Sequence, residues 1–259
     1  MKTMESTRIA LVGTGNVAWH LGHALVENRI PISQVLGRTA SAVCQMADEL
    51  NVPQSGRPED LNKDTGLCLI CISDDAIVQV LEKMKHKKCL MIHTAGSISM
   101  DVFNRRAINY GVLYPFQTFT RGRPMNYRKI PILIEANSTE NLKRIRQLAE
   151  SISDRVIEAD SSQRLYLHLA AIFAGNFSNH MYAIAEKLTL EHHLPFELLT
   201  PLMEETTTKA TAMSPRQAQT GPAVRSNRET IEKHIGLLQD HPDLQLLYRT
   251  ISDSIMKMR

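Results

Sequence analysis

The chain has 259 residues, 43% of them hydrophobic, which is enough apolar material for a real core and too much for a disordered chain. Its 30 basic and 27 acidic side chains leave a net charge of +3, without the basic excess or stripe of a dedicated nucleic-acid binder. No apolar run approaches the ~18–20 residues of a bilayer span, and the polar start Met1–Arg8 leads into a strand too short for a signal-peptide core. The expectation is a cytoplasmic protein with neither nucleic acid nor membrane as a partner.

In chain order, Ile9–Ala10–Leu11–Val12 predicts a first strand, ending in Gly13. Asn16 to Glu27 carries Val17, Leu21, Ala24 and Leu25 at helical spacing. Ser33 to Gly37 predicts a second strand, and Ser41 is placed to cap a helix through Val43, Met46, Ala47 and Leu50. Leu67 to Ile72 is a fully apolar strand, after which Asp74 or Asp75 caps a helix through Ile77, Val80, Leu81 and Met84. Cys89 to Ile92, Tyr110 to Tyr114, Ile130 to Ile134 and Arg155 to Ile157 read as further strands, with a helix capped by Ser138 before the last. Alternating strands and helices imply an α/β domain, a doubly wound, mainly parallel sheet covered on both faces.

After Asp160 the character changes. Ser162 to His192 is one long helical pattern without proline, and Pro195, Pro201, Pro215, Pro222 and Pro242 then punctuate shorter helices. This predicts a Rossmann domain over 1–158 and an all-α domain over 159–259. The four cysteines are Cys44, Cys68, Cys71 and Cys89. Cys68 and Cys71, three apart in an apolar strand, point to opposite faces and cannot grip one metal together, so no metal is expected.

The chemistry-bearing turn is Gly13–Thr14–Gly15–Asn16–Val17–Ala18, a G-x-G-x-x-A between the first strand and the first helix. Gly13 permits the tight turn, Gly15 lets backbone approach a pyrophosphate, and Ala18 allows close helix–sheet packing. The helix start offers free N–H groups to the anion. NAD sites usually carry a carboxylate about 20 residues on, for the ribose 2′-hydroxyl. Here Arg38 stands 23 positions after Gly15 (38 minus 15), with Thr39 and Ser41 beside it. A guanidinium suits a 2′-phosphate, so NADP is the expected cofactor.

Several further motifs accompany the turn: the strand Leu67 to Ser73 with Asp74–Asp75–Ala76–Ile77, His93–Thr94–Ala95–Gly96–Ser97, Tyr114–Pro115–Phe116–Gln117–Thr118–Phe119, Ala171–Ile172–Phe173–Ala174–Gly175–Asn176–Phe177–Ser178–Asn179–His180 and Ala218–Gln219–Thr220–Gly221–Pro222–Ala223. Together they resemble a bacterial Rossmann-like oxidoreductase family with a helical C-terminal domain of unknown function. That family is similar to deazaflavin-dependent NADP oxidoreductases and, more distantly, to pyrroline-5-carboxylate reductase and the β-hydroxyacid dehydrogenases. The resemblance implies a 6-phosphogluconate dehydrogenase-like architecture and dimerisation through the C-terminal helices. It places Ser73 and Asp74 by the cofactor's ribose and nicotinamide, and Thr94, Ala95 and Gly96 beside the nicotinamide. The substrate-facing segment of pyrroline-5-carboxylate reductase is matched by Gly175 to Asn179, without its serine and proline. The catalytic lysine of the β-hydroxyacid dehydrogenases is absent, since no lysine lies between Arg155 and Lys187.

Read as an ideal helix, the long segment brings His168, Ile172, Gly175, Asn176 and Asn179 to one side. The catalytic expectation is His168 as proton donor or acceptor, with Asn176 and Asn179 orienting a small-molecule substrate bound between the domains. Gln117, Thr118, Gly175 and Ser178 are candidate substrate contacts. The alternatives to these roles are helix–helix packing and ordinary loop hydrogen bonding. His93 is placed either to face the cleft or to serve as a structural histidine. Arg121, Arg123 and Arg128 read as a solvated basic loop. The leading function is NADP-dependent hydride transfer to or from a small carbonyl, imine or deazaflavin-like substrate. A non-catalytic NADP-binding sensor is the rival, and a methyltransferase ranks third.

Overall fold

The computed structural model describes residues 7–53, 55–84 and 88–258. Its strands are β1 (Ile9–Val12), β2 (Ile32–Leu36), β3 (Ser55–Gly56), β4 (Leu67–Ile70), β5 (Leu90–His93), β6 (Asn109–Pro115), β7 (Ile132–Ala136) and β8 (Val156–Glu158). They form one sheet in the order β3-β2-β1-β4-β5-β6-β7-β8. Every neighbouring pair is parallel except β6 with β7. The doubly wound, mainly parallel sheet is therefore as expected. Only β3, two residues long, has no apolar run to announce it.

Strands buried on both faces favour apolar side chains, which is why β1 and β4 read as unbroken hydrophobic runs and β5 as one that ends in the buried His93. Ile9 and Leu11 face a layer made with Leu21 and Leu25 of α1 (Asn16–Glu27), Met46 of α2 (Ala40–Glu49) and Ile145 and Leu148 of α4 (Thr139–Ile152). Ala10 and Val12 face the other layer, with Leu81 of α3 (Ile77–Lys83) and Phe103. Cys71 belongs to the first layer and Cys68 to the second, so the two thiols are divided by the sheet. Burial pushes the Cys71 thiol up to about 12. Among the described residues no three His, Cys, Asp or Glu side chains gather as a metal site.

The helix starts follow the sequence in part. Ser138 caps α4 by accepting from the Asn141 N–H at 3.2 Å. Ser41 does not cap α2, which begins at Ala40 after an extended Thr39 that makes no side-chain cap. Asp74 and Asp75 lie inside a 3-10 turn, Asp74–Ala76, and α3 starts only at Ile77. The tighter 3-10 turn lies between β4 and α3 and leads directly into the helix.

No strand follows Glu158 among the described residues. α5 (Ser161–Ala171) opens on a capping box in which the Asp160 carboxylate accepts from the Gln163 N–H while the Gln163 side chain accepts from the Asp160 N–H. A π-helical turn, Ile172–Phe177, leads into α6 (Ser178–Glu191). α7 (Thr200–Ala212), α8 (Pro215–Ala218), α9 (Arg228–Leu237) and α10 (Pro242–Lys257) complete the chain. Three of these helices, α7, α8 and α10, carry proline at the first or second helical position, where its missing N–H costs nothing. None is long and apolar enough to cross a membrane. The sheet ends at Glu158, and the chain forms two compact units, one running to Asn179 and one from His180.

Within the first unit, one buried charge fastens α5 to the sheet. The Arg164 side chain is 1% exposed, and its Nη1 donates to Glu135 Oε2 on β7 at 2.6 Å. Its Nη2 donates to the Ile98 carbonyl at 2.6 Å and to Ser161 Oγ at 3.1 Å. Ser161 Oγ donates in turn to the same Glu135 oxygen and accepts from the Met100 N–H. Removing the cation alone strands a desolvated carboxylate. Arg164→Ala is expected to lose about 3–5 kcal/mol of stability, while Arg164→Met combined with Glu135→Leu recovers most of it. Urea unfolding of the two variants against wild type measures the difference.

Candidate active site

An open cavity of about 800 Å3 lies beyond the carboxyl ends of β1, β2, β4 and β5. β1 has β2 on one side and β4 on the other, so the cavity sits where the strand order reverses, the usual ligand position in open α/β sheets. All the residues that line it belong to the first unit.

The floor is the turn after β1. Gly13 has φ +117°, and a Cβ there would stand 2.1 Å from the Cys71 carbonyl oxygen. Its N–H donates to the Leu36 carbonyl at 2.8 Å. Gly13 is thus required by the protein's own packing. Gly15 is not: its backbone is ordinary and extended, φ −77° and ψ −176°, and a Cβ on it would meet nothing within 4 Å. Ala18 is fully buried under the turn. α1 begins at Asn16 with no side-chain cap and no acidic residue in its first turn, so its leading N–H groups open toward the cavity. The Asn16 side chain is occupied elsewhere, donating to the Phe119 carbonyl at 2.9 Å and accepting from the Arg121 N–H at 3.3 Å.

The sequence-predicted cofactor residues converge. Gly13, Thr14, Gly15, Asn16 and Val17 line the cavity, as do Arg38 and Thr39 beyond β2. Ser73 and Asp74 beyond β4, and Thr94, Ala95 and Gly96 beyond β5, complete the same wall. The Ser97 hydroxyl donates to Asp74. The Asp75 carboxyl sits below the usual carboxylate range, held first by a hydrogen bond from Ser73 and, more weakly, by the charge of Arg38.

His168 on α5 also reaches the cavity, half-buried, with Nδ1 3.0 Å from the Tyr114 hydroxyl. Gly96 makes this possible, since a Cβ there would lie 2.7 Å from both His168 Nδ1 and the Tyr114 ring. Arg164, one turn earlier, anchors the helix that carries His168. Burial raises the Tyr114 pKa, and the charge of Asp74 adds to the rise. Tyr114, which opens the Tyr114–Thr118 motif, carries no sequence signal of a site role; it stands near the end of β6, which runs parallel to β5 and so ends on the cavity side. Arg57, Pro58 and Glu59, which follow the unannounced β3, line the cavity too.

The other candidates lie elsewhere. Asn176 and Asn179 are solvent-exposed and do not line the cavity, and neither do Gly175, Ser178, Gln117 or Thr118. Within the long helical segment, residues 172–177 form a π turn instead of α-helix. Wider turns advance fewer degrees per residue, and everything after Ile172 is rotated off the α-helical count. Ser178 Oγ donates to the Phe173 carbonyl five residues back, as that turn permits. Gly175 packs against Thr118, whose methyl would be 3.6 Å from an added Cβ, an ordinary contact. Gln117 accepts from the Thr118 N–H at 2.8 Å, ordinary loop bonding. Two of the three basic-loop arginines are engaged: Arg121 pairs with Glu49 at 2.8 Å, and Arg128 bonds Asn28, Glu150 and Asp154.

Comparison with known proteins places this geometry. A profile for the domain of unknown function DUF2520 matches residues 130–255. The chain is similar to a Bacteroides fragilis protein, BF3122, described as a "putative NADP oxidoreductase", with 38% identity, a TM-score of 0.91, and coverage of 98% of this chain and 100% of that one. It is similar to protein TM1727 from Thermotoga maritima at 19% identity and a TM-score of 0.81, over 96% and 98% of the two chains. An imine reductase from Myxococcus stipitatus in complex with NADP+ has 14% identity and a TM-score of 0.68, over 96% and 92%. The last two likenesses concern the fold alone. No curated protein matches the chain.

His93, at the end of β5, is the structural histidine of the two alternatives. It is fully buried, its Nδ1 accepts from the Ala95 N–H at 3.2 Å, and its ring stacks on Phe103 with centroids 5.5 Å apart. Burial, then the nearby Arg164 charge, depresses its pKa to about 3. An unfolded histidine titrates near 6.5. Between those values the unfolded chain takes up a proton that the folded one refuses, so the stabilisation is complete above about pH 6.5 and is lost as pH falls toward 3. Unfolding free energies measured from pH 7 to 4 are expected to drop more steeply in wild type than in His93→Asn, by about 1.4 kcal/mol per pH unit at most. Parallel slopes would contradict a neutral buried imidazole.

Proposed function

The chain belongs to the Rossmann-like oxidoreductase family with a DUF2520 C-terminal domain, and from that premise we propose that it binds NADP(H) and moves hydride between it and a small carbonyl or imine. The observation that carries this reading is Gly15. Nothing in the protein requires glycine there, since the backbone is relaxed and a Cβ would enter empty cavity. The requirement is supplied by a pyrophosphate laid against the backbone at the start of α1. The uncapped first turn of α1 and the absence of any acidic side chain in it fit the same anion.

A bound nicotinamide would supply or accept the hydride. The chain's own residues then manage the proton. Reduction of a carbonyl or imine creates an oxyanion or a basic nitrogen that must be protonated. Tyr114 is the donor favoured here: burial keeps its hydroxyl protonated, and His168 Nδ1, 3.0 Å away, takes part in the same hydrogen bond and can hand the proton on. Gly96 leaves the room in which the Tyr114 and His168 side chains meet. Asn176 and Asn179 do not line this cavity, so the proton is assigned to Tyr114 and His168 instead.

A second copy of the chain is the partner we favour. Leu165, Tyr166, Leu169, Phe173 and Phe177 are 48%, 72%, 51%, 62% and 49% exposed along α5 and the π turn. Rows of large apolar side chains are commonly buried in an interface. Light scattering of the purified protein is expected to return twice the chain mass, and a monomer would discard this part of the reading.

The functional test is calorimetry with NADPH and NADH. Wild type is expected to bind NADPH, and Gly15→Ala to lose about tenfold or more in affinity with an unchanged melting temperature, because the added methyl touches only the ligand. In turnover assays with keto acids, imines and a deazaflavin, Tyr114→Phe is expected to lower kcat about 10²–10⁴-fold without weakening NADPH. Absence of heat from either coenzyme sinks the proposal. Binding without turnover on the whole panel would favour a nucleotide sensor instead.

A further inference from the structure

We infer that Arg57, together with Arg38, forms a two-armed clamp for the phosphate on the adenosine ribose, so that coenzyme selectivity is read from β3 as well as from β2. The inference rests on the dinucleotide reading above and adds to it a selectivity residue.

The two arginines leave the sheet from neighbouring strand ends. β2 and β3 pair in parallel, Val35 with Ser55 and Leu36 with Gly56, and the Gly37 N–H donates to the Gly56 carbonyl at 3.0 Å. Arg57 follows directly on Gly56, and Arg38 stands one residue beyond Gly37, so the two arginines leave neighbouring strand ends one residue out of register, on strands about 4.8 Å apart. Both side chains are exposed, and both residues line the cavity. Neither forms an ion pair among the described residues. A phosphate dianion set between two planar guanidinium groups can be held by bidentate bonds from each.

The turn that presents Arg57 is held firmly. The Arg57 N–H donates to Asp60 Oδ2 at 2.8 Å, and the Asp60 N–H returns to the Arg57 carbonyl at 2.9 Å. Gln34, 3% exposed on β2, bonds this segment with both ends of its amide: Nε2 donates to the Asp60 carbonyl at 2.8 Å and Oε1 accepts from the Asn62 N–H at 3.1 Å. A buried amide is costly unless fully bonded, and here all of its bonding positions Arg57 and its neighbours. The backbone is thus prepaid, while among the described residues the Arg57 guanidinium makes no ion pair. Two carboxylates oppose the clamp. Glu59 lines the same end of the cavity, and Asp75 feels the charge of Arg38. Glu59 is placed to favour a bare ribose hydroxyl, so the balance between it and the two cations sets the selectivity.

The experiment is calorimetry on the full chain with 2′,5′-ADP and 5′-ADP, the adenosine halves with and without the extra phosphate. Wild type is expected to prefer 2′,5′-ADP. Arg57→Ala should lose about tenfold for 2′,5′-ADP and less than about twofold for 5′-ADP, with Arg38→Ala behaving alike. Melting temperature should not move, because the side chain is exposed, and a large drop in melting temperature would mean that Arg57 serves the fold. Glu59→Gln should leave 2′,5′-ADP binding intact or improve it. Equal losses for the two probes in Arg57→Ala, or no loss, overturn the clamp while leaving the dinucleotide site standing. A wild type that ignores both probes overturns the dinucleotide reading and the clamp with it.

Discussion

One forced contact organises the active half of the molecule: the backbone of Gly13 lies against the carbonyl of Cys71 so closely that a single methyl would sit 2.1 Å from that oxygen. The left-handed φ of +117° turns the chain out of β1 and into α1 at that point. Because the turn presses on the end of β4, it also fixes where β4 stops and where Ser73 and Asp74 begin. The ends of β1 and β4 are therefore one construction, and the cavity above them is its consequence. The neighbouring Gly15 serves no such purpose inside the protein, and the contrast between two glycines two residues apart separates what the fold needs from what a ligand needs.

A second anchor stands at the far side of the cavity. The buried pair Arg164–Glu135, shared with Ser161, ties the first turn of α5 to β7 and to the segment after β5. Such a pair adds little net stability compared with apolar packing, but it tolerates one geometry only. Its value here is positional. Arg164 and His168 are one helical turn apart, so locking the first fixes the second against Tyr114 and Gly96. His93 shares the same dry surroundings and is kept neutral by them. Proton chemistry and structural electrostatics are thus adjacent but separate: the half-buried imidazole of His168 faces the cavity, and the buried one of His93 supports its wall.

The π turn at 172–177 marks the limit of this order. It contains Gly175 and the exposed rings of Phe173 and Phe177, stacked edge to face at 5.0 Å. Turns of this kind cost helical hydrogen-bond geometry and are often found at functional sites. Here it separates the helix that carries His168 from the helical unit that follows.

Much of this was legible in the sequence because it depends on short-range rules. Unbroken apolar runs gave away β1, β4 and β5; the glycine spacing after β1 marked the phosphate turn; the side-chain cap at Ser138 and the prolines of α7, α8 and α10 marked helix starts. Each of the predicted cofactor residues, Gly13 to Val17, Arg38, Thr39, Ser73, Asp74 and Thr94 to Gly96, lies on one cavity because strand ends in a parallel sheet must converge. What only the tertiary structure decided was anything requiring a distance between remote segments or a departure from ideal periodicity. Tyr114 meets His168 across 54 residues, Arg57 reaches the cavity from a two-residue strand with no pattern, and the long helical segment carries a π turn at 172–177. Local propensity cannot express these relations, since they arise from chain segments packing against one another after each has chosen its own conformation.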